Sequence, residues 1–253
     1  MASSEQKGYQ PDSPDQKSKR EKEIAKMEQF VLDMVSRTEL ETKASMDESL
    51  NKAINALENE KTETRERGKD NKPGGIVELR KDIPTLIIPD LHARKDYLAK
   101  SLMQRDPRGR TNLDKMMKGE LQIVCLGDGM HSEGRGRERW KQAVNENNGG
   151  KWDKPSQSMN AEMTESFGVM KLVMELKAAH PEMFHYLRGN HDDILDSAGV
   201  SKSGVPQGAL VKSYIENRYG SDVLKKYAAF EENLPLMVAG NNFVASHAQP
   251  LKS

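Results

Sequence analysis

Apolar positions are unevenly spread along the chain, and where they gather they follow two different periods. Between residues 21 and 60, Met27, Phe30, Val31, Met34 and Val35 recur at helical spacing, and Ala53, Ile54 and Leu57 continue the stripe more weakly. This predicts a helical extension, either a coiled-coil arm or a helix packed on the domain C-terminal to it. Residues 1–20, rich in Ser, Gln, Lys, Pro and Asp, are expected to be a disordered tail. Residues 61–75 are charged, end in Pro73-Gly74-Gly75 and are expected to be a linker to a compact domain over 76–253.

Within 76–253 the apolar runs shorten. Residues 83–88 and 121–126 are apolar runs that stop at Pro89-Asp90 and Gly127-Asp128, as buried strands bounded by turns do. Residues 183–187 form a third such run, ending at Gly189-Asn190. Between the first two, Tyr97, Leu98, Leu102 and Met103 mark a helix face. From Ala161 to Ala179, Met163, Phe167, Met170 and Met174 form the clearest helical stripe, closed by His180-Pro181. Residues 136–160 are polar and rich in Gly and Asn, and are expected to be an inserted loop. Residues 234–246, broken by Ala239-Gly240-Asn241, predict a hairpin whose second strand ends at His247. Strand and helix alternate, so the fold class is α/β around a largely buried sheet.

Composition narrows the setting. The 253 residues carry 39 basic and 39 acidic side chains, which gives no reason to expect nucleic acid or a membrane surface as a partner. The single cysteine, Cys125, rules out an intrachain disulfide framework. No run of about 18 apolar residues is present to span a bilayer, and the N-terminus lacks the apolar core of a secretory signal. A cytoplasmic location is therefore expected.

Each predicted strand ends in side chains that ligate metals: Asp90 with His92, then Asp128, then Asn190 with His191, then His247. Ligands of open α/β folds bind beyond the carboxyl ends of the strands. A set of carboxylate, imidazole and amide oxygen suits Mn, Fe or Zn. Taken singly, each of these residues is an ordinary turn or cap residue; their joint order is what points to a site.

That order, Asp-x-His, Gly-Asp, Gly-Asn-His-Asp and a terminal His, resembles the calcineurin-like metallophosphoesterases. The local text of residues 165–193 and 234–250 is most similar to the serine/threonine protein phosphatases. The resemblance implies a metallophosphoesterase-like β-sandwich flanked by helices, holding two divalent cations (Mn, Fe or Zn). It implies that Asp90 and His92 bind one metal, Asp128 bridges, Asn190 and His247 bind the second, and His191 is the general acid. The implied activity is hydrolysis of phosphate monoesters, with phosphoserine and phosphothreonine of proteins among the substrates, by two-metal activation of water.

The sequence departs from the family pattern at three places. Pro89 precedes Asp90 where a glycine is usual. In the second motif His131 stands where a carboxylate would orient the general acid, and Ser132 where an arginine would bind phosphate, so Arg135 or Arg137 is expected to supply that charge. A further metal histidine belongs after the His247 position, whereas the sequence stops at Ser253, so the domain is expected to be incomplete at its C-terminus. Arg188 is read as a structural ion-pair residue. Two other readings stay open: a dinucleoside polyphosphate or phosphodiester hydrolase with the same metals, and a catalytically incomplete binding or scaffold module. The N-terminal helix is a candidate surface for a partner or for self-association.

Overall fold

A computed structural model describes residues 13–147, 156–195 and 205–248. In chain order the elements are α1 (Pro14–Ser36), α2 (Lys43–Glu58), β1 (Ile76–Glu78), β2 (Thr85–Ile88), α3 (Lys95–Met103), α4 (Asn112–Met117), β3 (Gln122–Cys125), α5 (Arg137–Glu146), α6 (Gln157–Ala179), β4 (Phe184–Tyr186), α7 (Gln207–Tyr219), α8 (Ser221–Glu232), β5 (Met237–Ala239) and β6 (Val244–Ser246). The chain is a mixed α/β protein. Strands β2, β3 and β4 form one parallel sheet with β3 in the centre. Strands β1, β5 and β6 form a second sheet, β1 parallel to β5 and β5 antiparallel to β6. Val77, Leu79 and Val238 from the second sheet meet Val124 and Leu187 from the first in a small buried apolar cluster.

The helical stretch expected over 21–60 consists of two helices separated by residues 37–42. The first begins earlier than its apolar stripe. Ser13 caps it, its hydroxyl accepting from the Gln16 N–H while the Gln16 side chain accepts from the Ser13 N–H. Residues 14–20 are thus helical, a correction to the expected disordered tail, whose remaining residues 1–12 lie outside the described ones. Of the two alternatives for the extension, packing on the domain is what is found. Val31, Met34, Met46, Leu50, Ala53 and Leu57 belong to the main core, and α2 lies against α6 and α8.

The expected linker over 61–75 is also folded against the domain. Arg65 is 2% exposed; it pairs with Glu60 at 3.0 Å and donates to the Asn233 carbonyl at 2.8 Å. Buried Lys177 on α6 reaches Glu60 as well and donates to the Pro181 carbonyl at 2.8 Å. A charged composition reads as solvated chain, yet here opposite charges and main-chain carbonyls satisfy one another inside the protein, as burial requires.

The polar stretch expected as a loop over 136–160 contains α5, while residues 148–155 lie outside the described ones. Only Trp140 and Ala143, one turn apart, are buried on this helix, which is too little for a visible stripe. Helices α7 and α8 cover the core over a stretch for which no element was expected. On α8, Glu231 is 2% exposed and accepts from the Ile194 N–H at 2.6 Å. Burial, followed by the neighbouring Asp192 carboxylate, holds its pKa well above the usual carboxylate range.

This packing has two measurable outcomes. Leu50→Ala, at 0% exposure in the core shared by α2, α6 and α8, should cost about 2–5 kcal/mol in urea unfolding. Unchanged stability would mean that the N-terminal helices do not share that core. Because the folded pKa of Glu231 is raised, its contribution to stability is complete below the unfolded pKa and is lost as pH rises toward the folded one. Glu231→Gln, which does not titrate, should therefore gain in melting temperature over wild type from pH 5 to pH 8; a pH-independent difference would contradict the burial of a protonated acid.

Candidate functional site

The parallel strands β2, β3 and β4 end side by side, so their C-terminal loops emerge at one edge of the sheet. Past the strands, the first two loops stay hydrogen-bonded: Leu91, His92 and Ala93 N–H groups donate to the carbonyls of Gly127, Asp128 and Gly129 at 3.3, 2.6 and 2.9 Å. The same two loops hold backbone that side chains rarely adopt. His92, Ala93, Asp128 and His131 have φ of 40°, 59°, 50° and 63°. Each such residue costs on the order of 1–3 kcal/mol and persists only where its surroundings over-determine it. The loops after β3 and β4 also touch: a Cβ on Gly127 would stand 2.7 Å from the Gly189 nitrogen, so neither position tolerates a side chain.

One carboxylate ties these loops together. Asp192, 1% exposed, accepts from the Asp128 N–H at 2.9 Å, the Gly189 N–H at 2.8 Å and the Tyr186 hydroxyl at 3.0 Å. The Tyr186 hydroxyl accepts in turn from the Gly129 N–H at 2.6 Å. Asp128 closes the circuit, its Oδ1 accepting from the His191 N–H at 2.8 Å. Burial raises the pKa of Asp128 against the opposing effect of that N–H and of the His247 and His92 imidazoles, and burial also raises Asp192.

The side chains expected to ligate metal all reach this edge. His92 Nε2 lies 3.9 Å from Asp90 Oδ2 and 3.8 Å from Asp128 Oδ2. His247, delivered by the end of β6, has Nε2 at 2.8 Å from Asn190 Oδ1 and 3.4 Å from Asp128 Oδ2, and Nδ1 at 3.4 Å from Asp90 Oδ1. Its Nδ1 is also 3.0 Å from the Leu126 carbonyl, an acceptor, which makes Nδ1 the protonated nitrogen. The Nε2 lone pair is then turned toward the Asn190 amide and the Asp128 carboxylate. Asp90, Asp128 and His247 each offer a ligand atom within 4.8 Å of the others and can hold a metal ion.

His191 and His131 stand beside this group, Nδ1 to Nδ1 at 3.3 Å, and the His191 ring lies edge-on to His92 at 5.5 Å. His131 is fully buried; burial, with the nearby His191 and His92 adding to it, pushes its pKa down to about 3, so it is a neutral partner where a carboxylate was the expected one. Ser132 and Arg135 are occupied elsewhere. Ser132 is buried, its N–H donating to Glu162 at 2.7 Å and its hydroxyl to the same carboxylate, which Arg139 also binds. Arg135 pairs with Glu165 and reaches the His92 and Ala93 carbonyls at 3.4 and 3.3 Å, bracing that loop from outside. Arg188 pairs with Asp193 at 2.6 Å.

Sequence reasoning missed the residues that hold the site in place. Asp192 stands inside the Gly-Asn-His-Asp motif, but its bonds to two loops and to strand β4 come only from the fold. Glu162 left a fainter trace, as an acid in the most apolar helix of the chain, and it is 0% exposed. Glu133 was visible only as part of a polar run.

No known protein-family profile and no curated protein matches the chain. Among solved structures the chain is similar to a protein serine/threonine phosphatase from Saccharomyces cerevisiae with similarity to human phosphatase PP5, at 17% identity and a TM-score of 0.43, over 80% of this chain and 46% of that one. The chain therefore spans less than half the length of that phosphatase.

Proposed function

We propose that this chain is a metal-dependent phosphoesterase acting on phosphate monoesters, with phosphoserine and phosphothreonine side chains as its substrate class. The observation that carries this reading is the convergence of Asp90, His92, Asp128, Asn190 and His247 around the end of the parallel sheet. The donor set fits divalent cations. Ligand atoms about 2.0–2.2 Å from one ion stand roughly 3–4 Å from each other; the His92–Asp90, His92–Asp128 and His247–Asp128 separations of 3.9, 3.8 and 3.4 Å fall in that range, and Asn190 stands nearer to His247 at 2.8 Å. Asp90, His92 and Asp128 would hold one cation; Asp128, Asn190 and His247 the other. Cations such as Mn, Fe or Zn would supply positive charge to a phosphoryl group and acidify water.

The rest of the chemistry belongs to the chain. His191 is the general acid: with Nδ1 turned to His131, its Nε2 delivers the proton to the leaving oxygen of the alcohol. Buried, neutral His131 keeps the His191 ring in one orientation without adding charge. The backbone N–H of His191 holds Asp128 Oδ1, which fixes the shared carboxylate and the acid relative to each other. In the proposed architecture the two sheets are the paired layers of a metallophosphoesterase-like β-sandwich, and the site opens at one end of them.

The test is a dialysed chain assayed with p-nitrophenyl phosphate, its bis-ester and a phosphoserine peptide before and after addition of Mn²⁺. Metal-dependent release from the monoester and the peptide is expected. Turnover of the bis-ester alone would move the activity to phosphodiesters, and no turnover with any substrate would overturn the assignment. His191→Ala should lower kcat by roughly 10²–10⁴ with metal content retained; loss of metal instead would make His191 a ligand. Asp128→Asn should lose both cations in a metal analysis, and a variant that keeps two would refute its shared role.

A further inference from the structure

Beside Asp90, His92 and Asp128, Glu133 is a fourth side chain at the proposed first cation position, and no part of the motif pattern assigns it. Its Oε1 lies 3.6 Å from His92 Nε2, as near as the Asp128 and Asp90 oxygens at 3.8 and 3.9 Å. Three carboxylates thus surround one imidazole nitrogen, and none of the three is within hydrogen-bonding distance of it. A neutral imidazole nitrogen can satisfy one acceptor at most, so Nε2 alone cannot serve all three carboxylates. His92 Nδ1, buried and without a hydrogen-bond partner among the described residues, gives the ring no second anchor inside the protein.

The backbone on either side of Glu133 is held. Before it, Ser132 is clamped: its N–H donates to Glu162 at 2.7 Å, and its carbonyl accepts from the Trp140 indole at 2.8 Å. After it, the Gly136 N–H donates to the Glu133 carbonyl at 2.9 Å. A Cβ on Gly136 would run into the Ser132 hydroxyl and stand 3.2 Å from Glu162, so the loop closes only around glycine. Glu162 itself is fixed by Arg139. A carboxylate carried on backbone pinned at both ends is pre-positioned, which is what a ligand shell needs.

We propose that Glu133 helps hold the cation on the His92 side of the centre, giving that position a third carboxylate besides Asp90 and Asp128. This rests on the metal-dependent reading above and adds to it a residue of this chain's own. It also assigns a purpose to the inward turn of Ser132, because the Glu162 clamp on Ser132 is what presents the next residue to His92.

Isothermal titration of the full chain with Mn²⁺ at pH 7 tests it, comparing wild type, Glu133→Gln and Glu138→Gln. Glu138 is a carboxylate on the neighbouring helix with 76% side-chain exposure, paired with Lys141, and serves as the control for bulk charge. Expected is a loss of about tenfold or more in affinity at one of the two sites in Glu133→Gln, with Glu138→Gln like wild type. Equal affinities in all three proteins, or the same loss in both variants, would overturn the role of Glu133 while leaving the metal centre intact. A wild-type chain that takes up no Mn²⁺ would instead overturn the metal-dependent reading, and this one with it.

Discussion

The buried carboxylate of Asp192 is the interaction on which the candidate site depends. It accepts from the backbone after β3, from the backbone after β4 and from the Tyr186 hydroxyl, so two loops and a strand share one carboxyl group. Hydrogen bonds of this kind each contribute on the order of 1 kcal/mol. They oppose the cost of the left-handed backbone at Asp128 and His131. The same loops need Gly127 and Gly189, whose missing Cβ atoms let the main chains touch. Remove the carboxylate, and the strained loops lose the contact that holds them at the end of the sheet.

Around that anchor the chain spends its buried polar groups on position. Glu162 turns Ser132 inward, Arg135 and Arg139 brace the outside of the loops, and His131 lies neutral behind His191. Of these, His131 and Ser132 are the two residues at which the sequence departs from the motif it resembles.

What the sequence revealed tracks how local the physics is. The three parallel strands, α3, α6 and the hairpin were legible because each carries its own period and turn signal, as 183–187 before Gly189-Asn190 does. The candidate ligand residues were legible as a group because they stand in order at the strand ends, and the fold brings their side chains to one edge. The segments misread were those whose stability is supplied from far away. Residues 61–75 look solvated, yet Arg65 is buried against Glu60, which Lys177 from α6 also reaches. Helix α5 buries only Trp140 and Ala143. Asp192 and Glu162 act through partners 30 or more residues distant, which no window along the chain contains.

The packing of α2 on α6 and α8 has a consequence for how the protein is made. Ser49 donates to Glu175, 126 residues later, and Lys43 to the Tyr219 carbonyl, 176 residues later. A ribosome adds about 5–20 residues per second, so the apolar stripe of Met46, Leu50, Ala53 and Leu57 waits many seconds for the surfaces that cover it. During that interval a nascent chain carries a hydrophobic helix with no partner of its own, the kind of surface that chaperones occupy.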